Sequence, residues 1–408
     1  MQRAVAPVVR VYDIAHLVSS VYLEDVVVAG MSLPSSDSAE LRVERGPEGL
    51  ASIQPEWSAI IESMPRSRFH QSFEWHRCVV AHLEADPLSV HYFVLYRGSA
   101  AIAIFPLRRV VRRVAGIAVR TWESLTHDHV VLSDFVQPAD IFADSPLRAL
   151  LRALDREPAL RWDVLNLDRS PAGGPAVNAA TCGRWPLLLA RRSTTSMYFD
   201  CSSYDGCQER MDGHFRRNLR RQRKKLDQLG RVEFAAESDP AALTAAFQEF
   251  LRLEQSGWKG DSGRASAIAL HDRLRAFYES LICGFGRDGH ALITLLKLDG
   301  RPVAGQFCVL HGDTLNILKI AYDETYAAEA PGSQLLDALL RHCCDSPHIG
   351  RLCLTTGPEW ATRWRPEADD VWNFAFANRT VGGLMTYALQ AGRMRAGAVK
   401  RRWLRPGK

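Results

Sequence analysis

The chain has 408 residues, of which 47% are hydrophobic and 24% are charged, and its formal net charge is +5. This composition is typical of a globular protein of two or three domains and excludes a disordered chain. The small net charge argues against a dedicated nucleic-acid-binding domain, because such domains carry a larger basic excess on one face. The nine cysteines form no C-x-x-C pair and match no zinc-ligand spacing, so we expect free thiols, no metal ion and a cytoplasmic location. No apolar run reaches about 18 residues, so the sequence predicts no transmembrane helix.

The first half of the chain predicts one α/β unit after an N-terminal extension of unclear role. The extension covers residues 1–40 and ends in the linker-like "SLPSSDSAE", and the unit covers residues 41–200. Its predicted elements are, in chain order, a strand at 41–45, a helix at 54–64, two strands around a turn at Arg97-Gly98, a helix at 145–157 and a strand at 161–168.

The second half of the chain repeats this order of elements over residues 231–395. Its predicted elements are a strand at 230–238, a helix at 239–257, a three-strand meander at 290–323, a helix at 331–345 and a strand at 349–357. The hairpins of the two halves align at an offset of 202 residues, which pairs Gly98 with Gly300 and Phe105 with Phe307. We therefore predict two copies of one α/β unit, each with a mixed, mostly antiparallel sheet flanked by helices.

A basic segment at 201–230 joins the two predicted units. It ends in "HFRRNLRRQRKKLDQLG", in which seven basic residues lie between Arg216 and Lys225. Asp212 and Gly230 suit the two ends of a helix. The apolar positions recur at helical spacing with Gln222 between them: Phe215, Leu219, Leu226 and Leu229. We interpret this segment as a docked helix whose charge faces water, an anionic ligand, an acidic partner or RNA. The tail at 396–408 is basic as well.

The stretch "AYDETYAAEAPGSQLLDALLRHC" (321–343) runs from an apolar strand through an irregular loop into a leucine-rich helix. Pro331, Gly332 and Ser333 open that helix. The unpaired N–H groups and the dipole at a helix N-terminus attract phosphate groups, and glycine leaves room for them. An ordinary capped helix is the more common use of such a pattern, but its place directly after a meander favours a phosphate or pyrophosphate ligand.

This order of elements resembles the acyl-CoA-binding core of the GCN5-related N-acetyltransferase (GNAT) fold. More narrowly, "FHQSFEWHRCVVAHL" (69–83), "FRRNLRRQRKKLDQLG" (215–230) and "LEQSGWKGDSGRASAI" (253–268) resemble the CelD/BcsL-like acetyltransferases of cellulose and exopolysaccharide biosynthesis. The resemblance implies tandem acyltransferase units, acetyl-CoA or another acyl-CoA as a substrate, and a distant relation to Fem-type aminoacyltransferases. The chain departs from the GNAT signature Arg/Gln-x-x-Gly-x-Gly/Ala, because Glu329 and Gln334 stand at its first and last positions. It also lacks the family's downstream Tyr-Lys pair.

The candidate site residues of the second unit lie around the end of the meander. Acyl transfer needs a group that accepts the proton of the nucleophile and a group that donates to the leaving thiolate. The catalytic candidates are Glu254 as base, Tyr322 as proton donor and Asp323. The cofactor-binding candidates are Pro331, Gly332, Ser333, Gln334 and Lys319. The substrate-binding candidates here are Trp258, Lys259 and Arg220. A solvated carboxylate at Glu254 and core aromatic rings at Trp258 and Tyr322 are the plainer alternatives.

In the first unit, "THDHVV" carries the densest group of titratable residues. His127, Asp128 and His129 do not predict a metal site, because alternate residues of a strand point to opposite faces. His127 is a candidate for acceptor binding and Asp128 for catalysis. This unit has no counterpart of "APGSQLL" after its hairpin, so we expect it to be the degenerate copy.

The sequence leaves three functions open. The first is an N- or O-acyltransferase that moves an acyl group from acyl-CoA to a small molecule or glycan precursor in exopolysaccharide, cellulose or cell-envelope metabolism. The second is a Fem-like enzyme that uses aminoacyl-tRNA and contacts RNA with the basic helix. The third is a non-catalytic protein that binds an acidic partner. The resemblance favours the first.

Overall fold

The computed structural model describes residues 39–138, 141, 144–257, 259–260 and 265–403, with side chains up to residue 396. The predicted N-terminal extension and most of the basic tail therefore lie outside the described residues. Within these ranges, no helix combines the length and the hydropathy that a membrane crossing requires.

The described strands are, in chain order, β1 (Ala39–Arg45), β2 (Val90–Arg97), β3 (Ala100–Val114), β4 (Ile117–Ser124), β5 (Val164–Pro171), β6 (Leu188–Asp200), β7 (Val232–Glu237), β8 (Ala291–Leu298), β9 (Arg301–His311), β10 (Thr314–Tyr322), β11 (Arg351–Cys353) and β12 (Glu367–Ala377). The described helices are α1 (Gly46–Ser52), α2 (Gln54–Ser63), α3 (Phe73–His82), α4 (Ser145–Arg156), α5 (Pro175–Cys182), α6 (Tyr204–Arg210), α7 (Gly213–Leu229), α8 (Pro240–Ser256), α9 (Asp272–Gly286), α10 (Pro331–Asp345) and α11 (Val381–Trp403). Each strand and helix predicted from the spacing is present, although β11 is shorter than the strand predicted at 349–357.

The chain forms two compact units with the same sheet topology. Unit 1 has the strand order β1-β2-β3-β4-β5-β12, and unit 2 has the order β7-β8-β9-β10-β11-β6. In each unit the fourth pair of neighbouring strands is parallel and the other four pairs are antiparallel. The predicted mixed, mostly antiparallel sheets are therefore confirmed.

The two hairpins share one register and one β-bulge. The pairing of β2 with β3 skips Ile102, and the pairing of β8 with β9 skips Val303. The structural offset is therefore 201 residues, and the offset of 202 taken from the glycines is wrong by one. The reason is that Gly98 has a positive φ of 61° at the first turn position, whereas Asp299 and Gly300 both have positive φ in the other turn.

Each compact unit takes one segment from the other half of the chain. Unit 1 contains residues 370 onward, because β12 pairs with β5 from Val371 to Ala377. Unit 2 contains residues 66–85, because α3 packs on α9. In that contact the rings of Trp75 and Phe277 lie 5.5 Å apart between centroids. The units thus differ in these two segments from the contiguous ranges 41–200 and 231–395, and unit 2 also includes residues 195–230.

The sheet of unit 2 has helices on both faces. Cys308 of β9 packs in a cluster with Leu336 and Leu340 of α10. The adjacent Phe307 contacts the rings of Phe247 on α8 and Tyr278 on α9. Neighbouring residues of a strand point to opposite faces. The face that carries Cys308 is therefore called the α10 face, and the face that carries Phe307 is called the α8/α9 face.

The basic segment forms helix α7 of unit 2, with the predicted ends. The Asp212 carboxylate accepts hydrogen bonds from the backbone N–H groups of His214 and Phe215, and Gly230 follows the last residue. Leu219 and Leu226 are buried as expected. Leu229 is 53% exposed, so its assignment to the apolar seam is wrong. It lies at the last residue of the helix, where the chain turns into β7.

In unit 1, Asp163 fixes the start of α11. Its carboxylate accepts hydrogen bonds from the backbone and guanidinium of Arg120 and from the hydroxyl of Thr380 at 2.6–3.0 Å. Gly383 is required beside it, because a Cβ there would lie 2.6 Å from the Asp163 carbonyl oxygen. Burial raises the pKa of Asp163, but the hydrogen bonds from Arg120 and Thr380 outweigh burial and lower the pKa to about 2.

We expect Asp163→Asn to lower the free energy of unfolding by about 2 kcal/mol near neutral pH, since it removes charged hydrogen bonds from a buried group. Because the pKa is depressed in the folded state, the carboxylate stabilises the fold above its unfolded pKa of about 4. This contribution is lost as the pH falls from about 4 through about 2. Urea unfolding of both proteins across this range checks it. A stability difference that stays constant down to pH 2 would contradict the assignment.

Candidate functional site

The parallel pair β10–β11 of unit 2 separates after a short contact. The two strands pair only from Thr314 to Asn316, opposite Arg351 to Cys353. Beyond this point β10 carries a bulge at Leu318, which has no register partner in β9. Thr355, just after β11, has a positive φ of 58°, and its buried hydroxyl lies 3.2 Å from the carbonyl oxygen of Ile317. The backbone pairing of the two strands therefore ends next to the irregular part of β10.

The N-terminus of α10 lies at the end of β10. Ala330 precedes it in the left-handed conformation with a φ of 52°, and Pro331 is its first residue. A Cβ on Gly332 would lie 3.7 Å from Cδ1 of Tyr322, so the glycine packs beside this ring. Tyr322 packs on the α10 face with Val303, Ala304 and Leu335. Three predicted residues, Tyr322, Pro331 and Gly332, are thus brought together, with the half-buried Ser333 next to them.

Helix α7 is held against the same turn by two glutamine side chains. The side-chain amide of Gln334 is buried and donates to the carbonyl oxygen of Leu219 at 3.0 Å. The amide of Gln222 donates to the carbonyl oxygen of Ala328 at 3.4 Å. The side chain of Gln334 therefore helps to pack α7 against this turn, and its cofactor-binding role stays a prediction. Arg220 lies on the exposed side of α7.

On the α8/α9 face, Glu254 and Lys259 form a buried ion pair against β10. Nζ of Lys259 lies 2.9 Å from Oε1 of Glu254 and donates to the carbonyl oxygen of Ile320 at 2.7 Å. The other carboxylate oxygen of Glu254 accepts from the backbone N–H of Ile268 at 2.9 Å. Only 1% of the Glu254 side chain is exposed. With both oxygens engaged, Glu254 locks the end of α8 onto the strand.

Tyr278 of α9 completes this group, and sequence reasoning missed it. Nζ of Lys319 lies 5.8 Å from the centre of the Tyr278 ring. Burial, followed by the charge of Glu254, raises the pKa of Tyr278 well above its usual value. The only sequence signal was the apolar spacing of α9, which predicts a core aromatic residue.

Asp323 begins the 3₁₀ segment Glu324–Glu329, and its carboxylate accepts from the backbone N–H and the hydroxyl of Thr325. This arrangement makes Asp323 a cap of the loop that leads to α10. Trp258 lies outside the described residues.

His127 and Asp128 belong to unit 1, apart from the residues described above. Both are exposed, and the backbone N–H of His129 donates to Nδ1 of His127 at 3.2 Å. The carbonyl oxygen of His127 accepts from Arg169. Among the described residues, no group of three potential ligands of the His, Cys, Asp or Glu type has metal-binding geometry.

Comparisons with known proteins agree with this architecture. Residues 213–364, from the start of α7, match the family described as an acetyltransferase (GNAT) domain. The fold is that of tandem GNAT-like units. A crystal structure of FemX has a TM-score of 0.52 at 12% identity, covering 80% of this chain and 96% of that chain. A conserved protein of unknown function from Bacteroides thetaiotaomicron VPI-5482 has a TM-score of 0.52 at 12% identity, with 81% and 97% covered.

A tandem GNAT protein from the clavulanic acid biosynthesis pathway has a TM-score of 0.40 at 16% identity, covering 84% of this chain and 100% of that chain. No curated protein matches the chain. At 12% identity, the two structures with a TM-score of 0.52 establish the fold alone. The predicted tandem GNAT-like fold is confirmed, and the match to the GNAT domain lies within unit 2.

Proposed function

We propose that the protein is an acyltransferase that moves an acetyl or longer acyl group from acyl-CoA to an amine or hydroxyl of a second substrate. The observation that carries this proposal is the bulge at Leu318, where β10 is no longer paired with β11, followed by the N-terminus of α10 within the range that matches the GNAT domain. An acyl-CoA has an anionic phosphate end and a neutral thioester end. The helix N-terminus suits the phosphate end, and the backbone freed at the bulge suits the thioester end.

Positive charge near the α10 turn supports a phosphorylated donor. Gly332 presents no side chain, and the helix dipole adds partial positive charge. The half-buried Glu329 opposes an anion at this turn. Helix α7, which Gln222 and Gln334 attach to the same turn, carries the exposed Arg220 and Arg221. In this proposal the positive charge of α7 offsets Glu329 when the phosphorylated donor binds.

The two faces of β10 suit the two halves of an acyl transfer. The acceptor attacks the thioester carbonyl, a C–N or C–O bond forms, the C–S bond breaks, and the CoA thiolate takes a proton. The peptide group of Leu318, outside the β9 register, suits polarisation of the carbonyl. Tyr322 on the α10 face is our candidate donor to the thiolate. Lys319 and Tyr278 on the α8/α9 face are the groups nearest the acceptor in this scheme.

The finer assignments rest on the narrower sequence resemblance. The three motifs similar to CelD/BcsL-like acetyltransferases support a glycan precursor as the acceptor, in exopolysaccharide, cellulose or cell-envelope metabolism. We propose the cytoplasm as the location, since it supplies acyl-CoA and keeps the nine free cysteines reduced.

Calorimetry with acetyl-CoA and longer acyl-CoAs tests the donor, and a free-CoA assay with a panel of amines and sugars tests the transfer. We expect saturable donor binding and release of CoA with at least one acceptor class. Absence of binding by every acyl-CoA would contradict the proposal.

Variants of the exposed charge on α7 test whether this helix contributes to the binding of acyl-CoA, the first candidate donor. We expect the double variant Arg220→Glu, Arg221→Glu to weaken acyl-CoA binding by about tenfold, because exposed charge pairs are worth roughly 1 kcal/mol or less each. The control is Arg252→Glu, Arg287→Glu, which makes the same charge change at exposed positions of α8 and next to α9. Calorimetry at several salt concentrations measures the effect, and equal weakening in both double variants would remove α7 from the donor site.

Aminoacyl-tRNA is the second candidate donor, and the basic face of α7 is the observation that favours it. In that case tRNA binding falls steeply with salt and is abolished in the Arg220→Glu, Arg221→Glu variant. A protein that binds neither donor but retains an acidic partner through α7 would instead be the non-catalytic alternative.

A further inference from the structure

One face of the unit 1 sheet carries charged and amide side chains beneath helix α11. Along β5, Leu165 and Leu167 belong to the apolar core, whereas Asn166 and Asp168 point to the other face. Helix α11 begins at the Asp163 anchor described above and contacts β4 and β5. A polar sheet face under a fixed helix is unusual, because buried polar groups destabilise a fold unless they have partners.

A cavity of about 360 Å³ lies between this face and α11. Its polar lining consists of Asn166, Asp168, Arg191, Asn373, Gln390 and Arg393. All of these residues belong to unit 1. The apolar part of the wall comes from Leu189, Ala375 and Met394. The volume is within the range of sites that hold small metabolites.

Near the cavity, one buried carboxylate has ion-pair partners and a half-buried one has none among the described residues. Glu123 is buried and forms ion pairs with Arg108 and Arg112 at 2.7 and 2.6 Å. Those two arginines therefore already have an ion-pair partner. Asp168 is half-buried, and no described residue makes a hydrogen bond or an ion pair to its carboxylate.

Burial, followed by the charge of Glu123, raises the pKa of Asp168, and the charges of Arg191, Arg112 and Arg169 oppose this only in part. A cation in the cavity would therefore be favoured next to this carboxylate. Arg191 and Arg393 are exposed at the rim and make no ion pair with a described residue. Since arginine binds carboxylates with paired hydrogen bonds, the rim suits a carboxylate.

We propose that unit 1 binds a free α-amino acid with an uncharged side chain in this cavity. The ammonium group contacts Asp168, the carboxylate contacts Arg191 and Arg393, and the side chain lies against Leu189 and Met394. The site needs neither the donor nor the α10 turn of unit 2, so it goes beyond the proposed acyl transfer. Unit 1 is then a ligand-binding copy of the fold rather than a degenerate one.

Calorimetry on the full chain, without any acyl-CoA, tests this site with L-alanine, L-serine, L-leucine and L-glutamine. We expect at least one of them to bind at one site per chain. Its decarboxylated amine and its N-acetyl derivative bind at least about tenfold more weakly, because each lacks one charged group. Failure of all four amino acids to bind would overturn the proposal whether or not the protein transfers acyl groups.

Variants locate the binding. Asp168→Asn and Arg191→Met are each expected to lower the affinity for the amino acid by about tenfold or more. The matched control is Arg192→Met, which removes the neighbouring exposed arginine that pairs with Asp370 instead. Ligand-free unfolding midpoints show whether each variant is folded. Equal binding by all three folded variants would contradict the site. So would binding of a sugar phosphate that depends on Arg191 but not on Asp168.

Discussion

Gly332→Trp is expected to reduce donor binding and transfer by about 100-fold or more, because the indole would occupy the turn where the phosphate end of the donor approaches. A Cβ at this position makes only an ordinary contact, 3.7 Å from the Tyr322 ring, so a side chain is accommodated without moving the backbone. The larger indole would then compete for the space beside Tyr322 at this turn. Calorimetry with CoA and with acetyl-CoA measures the loss directly.

Two further variants separate a blocked site from a damaged fold. Gly332→Ala is expected to keep donor binding within about tenfold and to leave stability unchanged or slightly raised, since alanine favours a helix by up to about 1 kcal/mol over glycine. Gly392→Trp introduces the same side chain on α11, where a Cβ meets no atom within 4 Å. Normal donor binding by folded Gly332→Trp would show that the donor lies elsewhere.

The local parts of the fold are predictable from sequence because their signals are local. The meander from β8 to β10 is marked by alternating apolar residues and by Gly300 and Gly312, both of which adopt positive φ. Asp212 and Gly230 marked the ends of α7 for the same reason. The repeat was recognisable as well, but its offset was wrong by one residue. A glycine indicates that a turn is present and does not indicate which turn position it occupies.

Contacts between distant parts of the chain were not predictable. The sixth strand of each sheet comes from the other half of the sequence, and nothing in β12 specifies β5 as its neighbour. Gln334 looked like a residue at a ligand-binding turn, yet its amide bonds to Leu219 more than 100 residues away. Glu254 looked like a solvated carboxylate or a base, whereas the fold buries it with Lys259. These roles depend on tertiary packing, which spacing along one helix does not encode.

The ion pair of Glu254 and Lys259 is expected to contribute strongly to stability. Lys259→Met would leave a carboxylate buried without its cation, and breaking such a pair from one side costs about 3–5 kcal/mol. Glu254→Leu also removes the acceptor of the Ile268 N–H, so we expect a loss of about 3 kcal/mol. In the double variant no charge is left buried, and the loss should be smaller than the sum by about 2 kcal/mol or more. Urea unfolding of the original protein, the two single variants and the double variant measures these losses as a double-mutant cycle. Strictly additive losses would contradict a coupled pair.

The isosteric Glu254→Gln variant decides between a structural and a catalytic role of this residue. Both oxygens of Glu254 already accept hydrogen bonds, from Lys259 and from Ile268, and only 1% of the side chain is exposed, so a substrate has little access to the carboxylate. We therefore expect kcat of the folded variant to stay within about tenfold of the original, because the amide oxygen preserves one of the two bonds. A loss of about 100-fold or more with unchanged unfolding midpoint would restore Glu254 as the base. The pH profile adds a second readout, because removal of a base abolishes the acidic limb of kcat, whereas removal of a packing contact leaves that limb in place.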